Sequence, residues 1–589
     1  MISISNVVSA VAMVARAVIG VVPSALSKLQ GLFSLPDVSA DQVDVAKRSF
    51  ERHFEGEAGR LIHIMGTGGV AAFSNDVQSK FEAIVERVFS PLPGQSGGAM
   101  SGSAFATMMK SANQQATMAL DRLRVDATRL QIMSNLKPVD VRPQITSDGP
   151  PIAVVRRAPQ LENLVLRGGG AKGIGYSAAL DQMQKAGVLS GLKHIAGSSA
   201  GAMTATCLAA GMSAAQFERN VADKLFRPGV FDALSGGGEL ERVYPDLELA
   251  GGLAPAFNSL QTLDRTVATN VHDYLRSQAN EPEFQRALKA MPPAHAQRLV
   301  ALQTLPDFAQ PHKESMITFN DLRLLHNLAP EKFKLLTVTG WNQTDQCEAY
   351  FDADSAPDMP VAYAARISMA FPVVFKAVAM VDDGVKRVYA DGGIGSNMPA
   401  EVFVQPGKAN VPGRGAVDGV VAEQRARTLL MTFDEGGKAY QVMHGGEPQR
   451  KPDGWLGGIK AFFINLITRH PDQGSTSIQD QRKVWEAGPN ALPVFHDKIG
   501  TLSMNVSDER QHQAHMMSAW NALEQIDART QQAYQTTFDS LEALASTLTA
   551  EEVNALRTDP KPDHRQRQLL AIVDQSEVRR VSRSPAQGG

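Results

Sequence analysis

Two short turns carry residue types that suit nucleophilic catalysis. Ser199 is the middle residue of a Gly-x-Ser-x-Gly sequence, and Asp391 opens an Asp-Gly-Gly sequence. A serine hydroxyl is a weak nucleophile at neutral pH and needs a base within hydrogen-bond reach. Because two glycines follow the aspartate, its carboxylate is uncrowded and the backbone can bring it close to another residue. These residue types predict a serine hydrolase with a Ser199–Asp391 dyad.

A glycine-rich run upstream of the serine supplies backbone donors. It consists of Gly168, Gly169, Gly170, Ala171, Lys172 and Gly173. The apolar segment 164–166 before it predicts a strand, and residues 176–186 after it predict a helix. A glycine turn at the start of a helix leaves N–H groups that suit a phosphate or an oxyanion.

The serine turn needs a strand before it and a helix after it. Residues 194–196 predict the strand, and the alanine-rich segment 200–210 predicts the helix. A nucleophile elbow holds its serine in a strained, exposed conformation, and its neighbours must be small for strand and helix to approach. Gly197 and Gly201 meet that steric demand.

The aspartate is predicted to end a strand as well. The segment 387–390 is strand-like, and a hairpin turn at 382–384 precedes it. Gly392 and Gly393 then complete the Asp-Gly-Gly turn. Histidine is the usual base for a serine nucleophile, but no histidine in this sequence is marked out by its context.

These blocks resemble, in order and type, the signature sequences of the patatin-like phospholipases. A fourth block, 365–375, is similar to the family's Ala-Ser-x-Ala-x-Pro-x-x-Phe stretch, with Ile367 where the family usually has alanine. The resemblance covers about residues 161–399. Segments 317–322 and 335–340 look particularly like the secreted bacterial cytotoxins of the ExoU type. The resemblance implies an α/β fold with a patatin-like three-layer α/β/α hydrolase core and helical N-terminal and C-terminal domains.

The same resemblance implies acyl transfer by a phospholipase A2 or lysophospholipase. Asp391 takes the proton of Ser199, the serine oxygen attacks an acyl ester, and amides near Gly169 and Gly170 receive the oxyanion. Lys172 belongs by resemblance to the oxyanion loop and either orients a phosphate headgroup or is a solvated surface lysine. No metal is needed for this chemistry, and the sequence has no clustered His or Cys pattern with metal-ligand spacing.

Other interpretations of the motifs are weaker. Gly168-x-Gly170-x-x-Gly173 also satisfies the dinucleotide fingerprint, which requires an acidic residue near the end of the second strand. That strand ends in the serine turn instead, and no Gly-Lys-Ser or Gly-Lys-Thr follows the glycines as a P-loop requires. Asp434, after the strand-like segment 428–433, is a competing base in a Glu-Gly-Gly context that differs from the family pattern. Each motif alone is more often a plain turn, and their conjunction favours catalysis.

Composition sets broad limits. A chain of 589 residues has about three or four domains by the usual prior, and a net charge of −3 argues against nucleic acid as a partner. Two cysteines, Cys207 and Cys347, make a disulfide framework improbable and are compatible with work in a reducing cytosol. The apolar run 7–22 is interrupted by Arg16, so it is too short on either side to span a bilayer.

The composition shifts along the chain predict six regions. They are an apolar N-terminal segment 1–39, a helical domain 40–136, a proline-rich linker 137–160, the catalytic domain 161–435 with a helical insertion at about 220–315, a connecting region 436–502, and a C-terminal helical domain 503–589 with a basic tail. The N-terminal segment serves secretion and chaperone binding or packs on the protein's own core, and the insertion is a lid or a packing element. The connecting region contains an aromatic patch at 455–464 that is either membrane-facing or a buried helix.

The resemblance also implies partners. The ExoU-type cytotoxins act on phospholipid membranes, require host ubiquitin as an activator, and bind phosphoinositides through a C-terminal helical domain. We therefore expect secretion from a bacterium and action in the host cytosol at membranes. The basic residues of the tail either meet anionic lipid or belong to a frayed, charged end; they are Arg565, Arg567, Arg579, Arg580 and Arg583. The oligomeric state is left open. Two alternatives remain, an effector whose helical flanks bind host partners or membranes while its core is dispensable, and a neutral-lipid esterase.

Overall fold

The computed structural model describes most of the chain in two compact units, Met1–Asn135 and Leu136–Gly589. The described residues are 37–64, 100–135, 140–222, 248–250, 257–303, 316–404, 424–434, 476–500 and 506–583, with scattered positions between 79 and 89, and with gaps at 148, 372–374, 383, 488–489, 497–498 and 532. The apolar run 7–22 and the aromatic patch 455–464 lie outside these residues. None of the described helices is both long enough and apolar enough to cross a bilayer.

The first unit is built from two long helices, Ala40–Ile64 and Gly102–Asn135. Apolar residues that recur every three or four positions face each other to form its core. This core contains Phe50, Phe54, Ala58, Ala112, Ala116, Leu120 and Leu123. The apolar spacing predicts that Phe50, Phe54, Ile62 and Met65 lie on one side of a helix. Phe50 and Phe54 are buried on one side of the first helix. The side chain of Ile62 and all of Met65, predicted on the same side, lie outside the described residues.

The described residues of the second unit form two sheets. Its strands are β1 (Gln144–Ile145), β2 (Ile152–Arg157), β3 (Asn163–Leu166), β4 (His194–Gly197), β5 (Glu248–Ala250), β6 (Leu335–Asn342), β7 (Cys347–Phe351), β8 (Ala377–Asp382), β9 (Val385–Asp391), β10 (Thr428–Phe433), β11 (Ala491–Val494) and β12 (Ala533–Phe538). The large sheet has the order β11-β10-β3-β4-β6-β9-β8-β5, and β7 pairs with β6 outside this path. The first five of these strands are parallel, and β9, β8, β5 and β7 pair antiparallel.

Helices cover both faces of the large sheet. The helices described in this unit are Tyr176–Lys185, Val188–Gly191, Ala200–Ala209, Ala214–Phe217, Phe257–Gln278, Pro282–Ala290, Pro293–Gln303, Phe319–Leu328, Val361–Ser368, Glu401–Val404, Thr476–Ala487, Asp508–Gln531, Leu541–Ala545, Ala550–Arg557 and His564–Arg583. Successive side chains of a strand point to opposite faces. Leu164 and Leu166 accordingly belong to one apolar core with Leu180, while Val165 belongs to another with Val484. The predicted three-layer α/β/α core is confirmed.

The structure differs from the sequence expectation at three places. The linker predicted at 137–160 contains β1 and β2, and the C-terminal region predicted to be helical contains β12, which pairs with β2 in a second sheet. The large sheet continues beyond residue 435, because β11 pairs with β10. In the insertion, the sequence predicts a helical run at 262–277. It lies within the helix Phe257–Gln278, which packs into the main core, and the role of the insertion as a lid stays a prediction.

The second sheet is held by a buried ion pair. Arg156 on β2 donates from Nε to Glu552 Oε1 at 2.8 Å and from Nη1 to Thr547 Oγ1 at 3.0 Å, and only 1% of the Arg156 side chain and 6% of the Glu552 side chain are exposed. Removing one member leaves the other charge buried without its partner. We therefore expect Glu552→Ala to lower the free energy of unfolding of this unit by about 3–5 kcal/mol, measured by urea denaturation.

A matched control stands next to it in the sequence. Arg157 and Glu551 form an ion pair of 2.7 Å whose side chains are 39% and 60% exposed. Exposed pairs contribute about 0–1 kcal/mol, so Glu551→Ala should leave the urea midpoint nearly unchanged. Equal losses in the two variants would contradict the argument from burial.

Candidate active site

Ser199 occupies the sharp turn between β4 and the helix Ala200–Ala209. Its φ of 51° and ψ of −123° place it in a region that residues with side chains rarely adopt, at a cost on the order of 1–3 kcal/mol. The backbone N–H of Ser199 donates to Ser368 Oγ at 2.8 Å, which ties the turn to the end of the helix Val361–Ser368. The serine itself is half-buried. The structure therefore has the strained strand-turn-helix geometry that the sequence predicts.

Asp391 is the hydrogen-bond partner of the serine hydroxyl. Ser199 Oγ donates to Asp391 Oδ2 at 2.9 Å. The other carboxylate oxygen, Oδ1, accepts from the N–H of Gly393 at 2.7 Å, and only 3% of Asp391 is exposed. Asp391 ends β9, whose pairing with β6 brings it to the same side of the sheet as the end of β4. A carboxylate at this distance can accept the serine proton.

The glycine-rich run passes beside the serine. A Cβ on Gly168 would lie 2.9 Å from the Cβ of Ser199, so glycine is required by this close approach. Gly170 has a φ of 57°, which glycine adopts without strain, and it begins the 3₁₀ helix Gly170–Gly175. The N–H of Gly168 donates to the carbonyl of Asn397 at 2.9 Å. Because the first N–H groups of a helix have no partner within it, the free donors are expected at Gly169, Gly170 and Ala171.

The remaining predicted residues surround these three turns. Ala171 and Gly173 are buried in the 3₁₀ helix, and Lys172 is half-buried, with its backbone N–H donating to Gly169 O at 3.3 Å. Gly197 and Gly201 are in contact where β4 meets its helix. Gly392 and Gly393 form the 3₁₀ turn Gly392–Ile394 directly after Asp391. The structure thus brings together all the residues that the sequence predicts for the site, and the role of Lys172 stays a prediction.

Asp434, the competing base predicted from the sequence, and His194, the histidine of the strand that leads to Ser199, both have other contacts. His194, at the start of β4, is hydrogen-bonded through Nε2 to Thr337 Oγ1 at 2.9 Å, and burial lowers its pKa to about 4. Its imidazole is therefore neutral at pH 7. Asp434 follows β10, where its backbone N–H donates to Val494 O at 3.0 Å.

Sequence reasoning assigned no role to two residues that contact the site. Ser368 was part of the fourth motif block, but only the structure shows that its hydroxyl accepts from the N–H of Ser199. Asn397 donates from Nδ2 to Gly168 O at 3.2 Å and lies in contact range of Gly393. Its position soon after the Asp-Gly-Gly turn is the one signal in the sequence that would have drawn attention to it.

The site also contains a buried phenol. Tyr176 OH donates to Arg167 O at 2.6 Å, at the start of the glycine-rich run, and its ring packs against Phe433 at 5.0 Å between centroids. Burial raises the pKa of Tyr176 far above its ordinary value. Tyr176 therefore acts as a neutral donor that fixes the backbone just before Gly168. In the described part of the chain, no group of three or more His, Cys, Asp or Glu residues is placed to hold a metal ion.

Comparison with known proteins identifies the domain that carries this site. Residues 164–404 match the family model described as patatin-like phospholipase. No curated protein matched the sequence. Among solved structures, VipD from Legionella pneumophila is 19% identical over 77% of this chain and 80% of that chain, with a TM-score of 0.39. The ExoU–SpcU complex of the type III secretion system of Pseudomonas aeruginosa is 21% identical over 75% of this chain and 65% of that chain, with a TM-score of 0.40.

A further structure, of the type III effector protein ExoU, is 18% identical over 77% of this chain and 71% of that chain, with a TM-score of 0.38. The family match includes the glycine-rich run, the serine turn and the Asp-Gly-Gly turn. The resemblance drawn from those three motifs is confirmed at the level of the family domain.

Proposed function

Because residues 164–404 of this chain form a patatin-like phospholipase domain, which supports lipid ester hydrolysis, we propose that the protein is a phospholipase A or lysophospholipase acting through a Ser199–Asp391 dyad. The observation that carries the proposal is the 2.9 Å hydrogen bond from Ser199 Oγ to Asp391 Oδ2, with the serine on a strained turn. The same turn lies against Gly168, so the nucleophile, the base and the glycine-rich donors converge at one place.

The proposed reaction proceeds in two acyl-transfer steps. As Ser199 Oγ attacks the carbonyl carbon of a fatty-acyl ester, its proton moves to Asp391 Oδ2. The oxyanion accepts hydrogen bonds from backbone N–H groups of Gly169, Gly170 and Ala171, and a donor of this kind typically contributes about 3 kcal/mol of transition-state stabilisation. The tetrahedral intermediate expels the lysolipid oxygen, which takes the proton from Asp391. Water then hydrolyses the acyl-enzyme by the same route and restores the serine.

We further propose a host-cell setting for this activity. The segments 317–322 and 335–340, which resemble the ExoU-type cytotoxins, support a secreted bacterial effector that acts on membranes in the host cytosol. In this proposal ubiquitin is a protein activator, a secretion chaperone binds the N-terminal region, and no small-molecule cofactor takes part in the chemistry. The phosphate headgroup contact of Lys172 and the membrane contact of the basic C-terminal end belong to the same proposal.

The proposal is tested by measuring fatty-acid release from phospholipid vesicles, with and without ubiquitin. We expect free fatty acid and lysophospholipid from the vesicles, at a higher rate with ubiquitin than with an equal mass of serum albumin. A triacylglycerol emulsion serves as the comparison substrate, and hydrolysis of the emulsion alone would favour the neutral-lipid esterase. If no fatty acid is released from either substrate, with or without ubiquitin, the proposed activity is contradicted.

A further inference from the structure

The helix Thr476–Ala487 lies outside the family match at 164–404, yet it contacts the catalytic turns with two charged side chains. Asp480 and Lys483 are three positions apart, which places them on one face of the helix. Both are directed into the described catalytic domain, and Asp480 is 4% exposed.

Asp480 reaches the segment that leads into the glycine-rich run. Its Oδ2 accepts from Arg167 Nε at 2.8 Å, and the side chains of Arg167 and Asp480 are 14% and 6% exposed. Asn397 Nδ2 lies 3.5 Å from the same oxygen. A charge-assisted hydrogen bond of this kind is stronger than a neutral one and fixes the direction of the guanidinium. Arg167 immediately precedes Gly168, so Asp480 holds the residue that leads into the run.

Asn397 is the point at which the catalytic turns meet. It is joined to Gly168 by two hydrogen bonds, from Gly168 N–H to Asn397 O at 2.9 Å and from Asn397 Nδ2 to Gly168 O at 3.2 Å. A Cβ on Gly168 would overlap Asn397 Oδ1, and a Cβ on Gly393 would lie 2.6 Å from it. Movement of Asn397 would therefore change the position of Gly168 relative to Ser199 and Asp391.

Lys483 holds the chain on both sides of Asn397. Its Nζ donates to Ser396 Oγ at 3.1 Å and to Met398 O at 2.7 Å, and it forms an ion pair of 2.7 Å with Glu401 Oε2. Burial alone would raise the pKa of Glu401, but the charge of Lys483 and the hydrogen bonds from Lys483 and Ser396 together outweigh it and lower that pKa. The segment that carries Asn397 is thus fixed by one helix face.

From this arrangement we infer that Asp480 is a positioning residue for the oxyanion loop, acting through Arg167 and Asn397, with Lys483 supporting it from the same helix. The inference rests on the proposed acyl-hydrolase function. Oxyanion donors act only where the oxyanion forms, and a misplacement of about 1 Å can cost on the order of 100-fold in rate. Asp480 and Lys483 therefore position the catalytic turns from outside the family match at 164–404.

The test compares Asp480→Ala and Asp480→Asn with Glu486→Gln, in the full chain and on the same vesicles. Glu486 is on the same helix and pairs with Arg425 at 3.1 Å, with both side chains partly exposed, so it serves as the matched control. We expect Asp480→Ala to lower kcat by about 100-fold with KM within a factor of about two, because a displaced donor weakens the transition state more than substrate binding. Asp480→Asn should lose less, because its amide oxygen can still accept from Arg167. Glu486→Gln should match the wild type.

A second readout separates positioning from a smaller folded fraction. Active-site titration with a fluorophosphonate counts reactive serines, and the rate constant of labelling reports the site itself. We expect Asp480→Asn to keep the wild-type stoichiometry while its labelling rate constant falls. A fall in stoichiometry with an unchanged rate constant would overturn the inference, as would wild-type kinetics in both Asp480 variants.

The two proposals fail in distinguishable ways. If the wild type hydrolyses phospholipid and the Asp480 variants equal it, the positioning role alone is wrong. If the wild type neither releases fatty acid nor reacts with the fluorophosphonate, the proposed function is wrong and the positioning role falls with it. Should Asp480→Ala fail to fold, Lys483→Gln provides the second variant, with a lower labelling rate constant expected at full stoichiometry.

Discussion

Ser199→Ala is expected to lower kcat/KM for phospholipid hydrolysis by at least about 10⁴-fold, because the variant lacks the atom that forms the acyl-enzyme. The alanine removes one hydroxyl from a half-buried position and keeps the neighbouring backbone bond from residue 199 N–H to Ser368 Oγ. The fold should therefore be retained, which a thermal melt can check. Fatty-acid release from vesicles, at matched protein concentration and with ubiquitin present, measures the effect.

Asp391→Asn should cause a comparable loss for a different reason. Asparagine has nearly the shape of aspartate and keeps an acceptor for Gly393 N–H, but it cannot take the serine proton at neutral pH. Because nucleophile and base act as one unit, their losses should not multiply. The double variant, Ser199→Ala with Asp391→Asn, should be only slightly slower than the slower of the two single variants. Strict multiplication of the two losses would argue that the residues act independently.

Ser190→Ala provides the control for both variants. Ser190 is an exposed serine of the same domain whose hydroxyl donates to Gly187 O at 2.7 Å, so its loss removes one surface contact. It should hydrolyse vesicles at the wild-type rate. Full activity in Ser199→Ala would instead mean that any hydrolysis belongs to another group, and the dyad assignment would be wrong.

The parts of the fold nearest the motifs could be predicted from the sequence because their cause is local. A short apolar run that is closely followed by glycine has few alternatives to a buried strand and a tight turn, and β3 and β4 both have this form. Gly384 has a φ of 76°, as the hairpin turn between β8 and β9 requires. The three-layer arrangement then follows from strands that are apolar on both faces.

The misassigned regions depend on partners that are remote in the chain. Residues 152–157 alternate between buried and half-buried positions, but four prolines in the preceding segment favoured a linker, and the strand's partner β12 lies far towards the C-terminus. Isolated two-stranded pairings are marginal, so neither strand is recognisable without the other. Burial of Arg156 in that strand is also unexpected from its residue type, and only the position of Glu552 explains it.

The supporting side chains of the site were unpredictable for the same reason. Ser199 and Asp391 have residue types that suggest chemistry, whereas Asp480 is one of many acidic residues on polar helix surfaces. Its significance comes from a 2.8 Å contact with Arg167, which no spacing rule anticipates. The sequence therefore predicts the two residues of the proposed dyad, and the structure was needed to find what holds them in place.

Gly201→Ala is expected to reduce both stability and activity, because the new methyl group would occupy space that backbone atoms of Leu166 and Arg167 already fill. A Cβ at Gly201 would overlap the carbonyl oxygen of Leu166 and lie 2.6 Å from its carbonyl carbon and 2.8 Å from Arg167 O. A backbone neighbour cannot rotate away as a side-chain end can, so β3 must move from the elbow helix. Overpacking of this kind costs about 1–3 kcal/mol, and more where the neighbour is rigid.

The displaced atoms explain why activity should fall further than stability. Leu166 and Arg167 lead directly into Gly168, which contacts Ser199, so a shift of β3 moves the oxyanion donors relative to the nucleophile. We expect kcat to fall by at least about 100-fold even at temperatures where the variant is fully folded.

Gly59→Ala is the matched control, since it makes the same change in the helix Ala40–Ile64 with no atom within 4 Å of the new Cβ. It should raise stability by about 0.5–1 kcal/mol and leave hydrolysis unchanged. If Gly201→Ala melts and hydrolyses like the wild type, β3 can move freely under the elbow helix, and the close strand-to-helix contact is not what sets the geometry of the site.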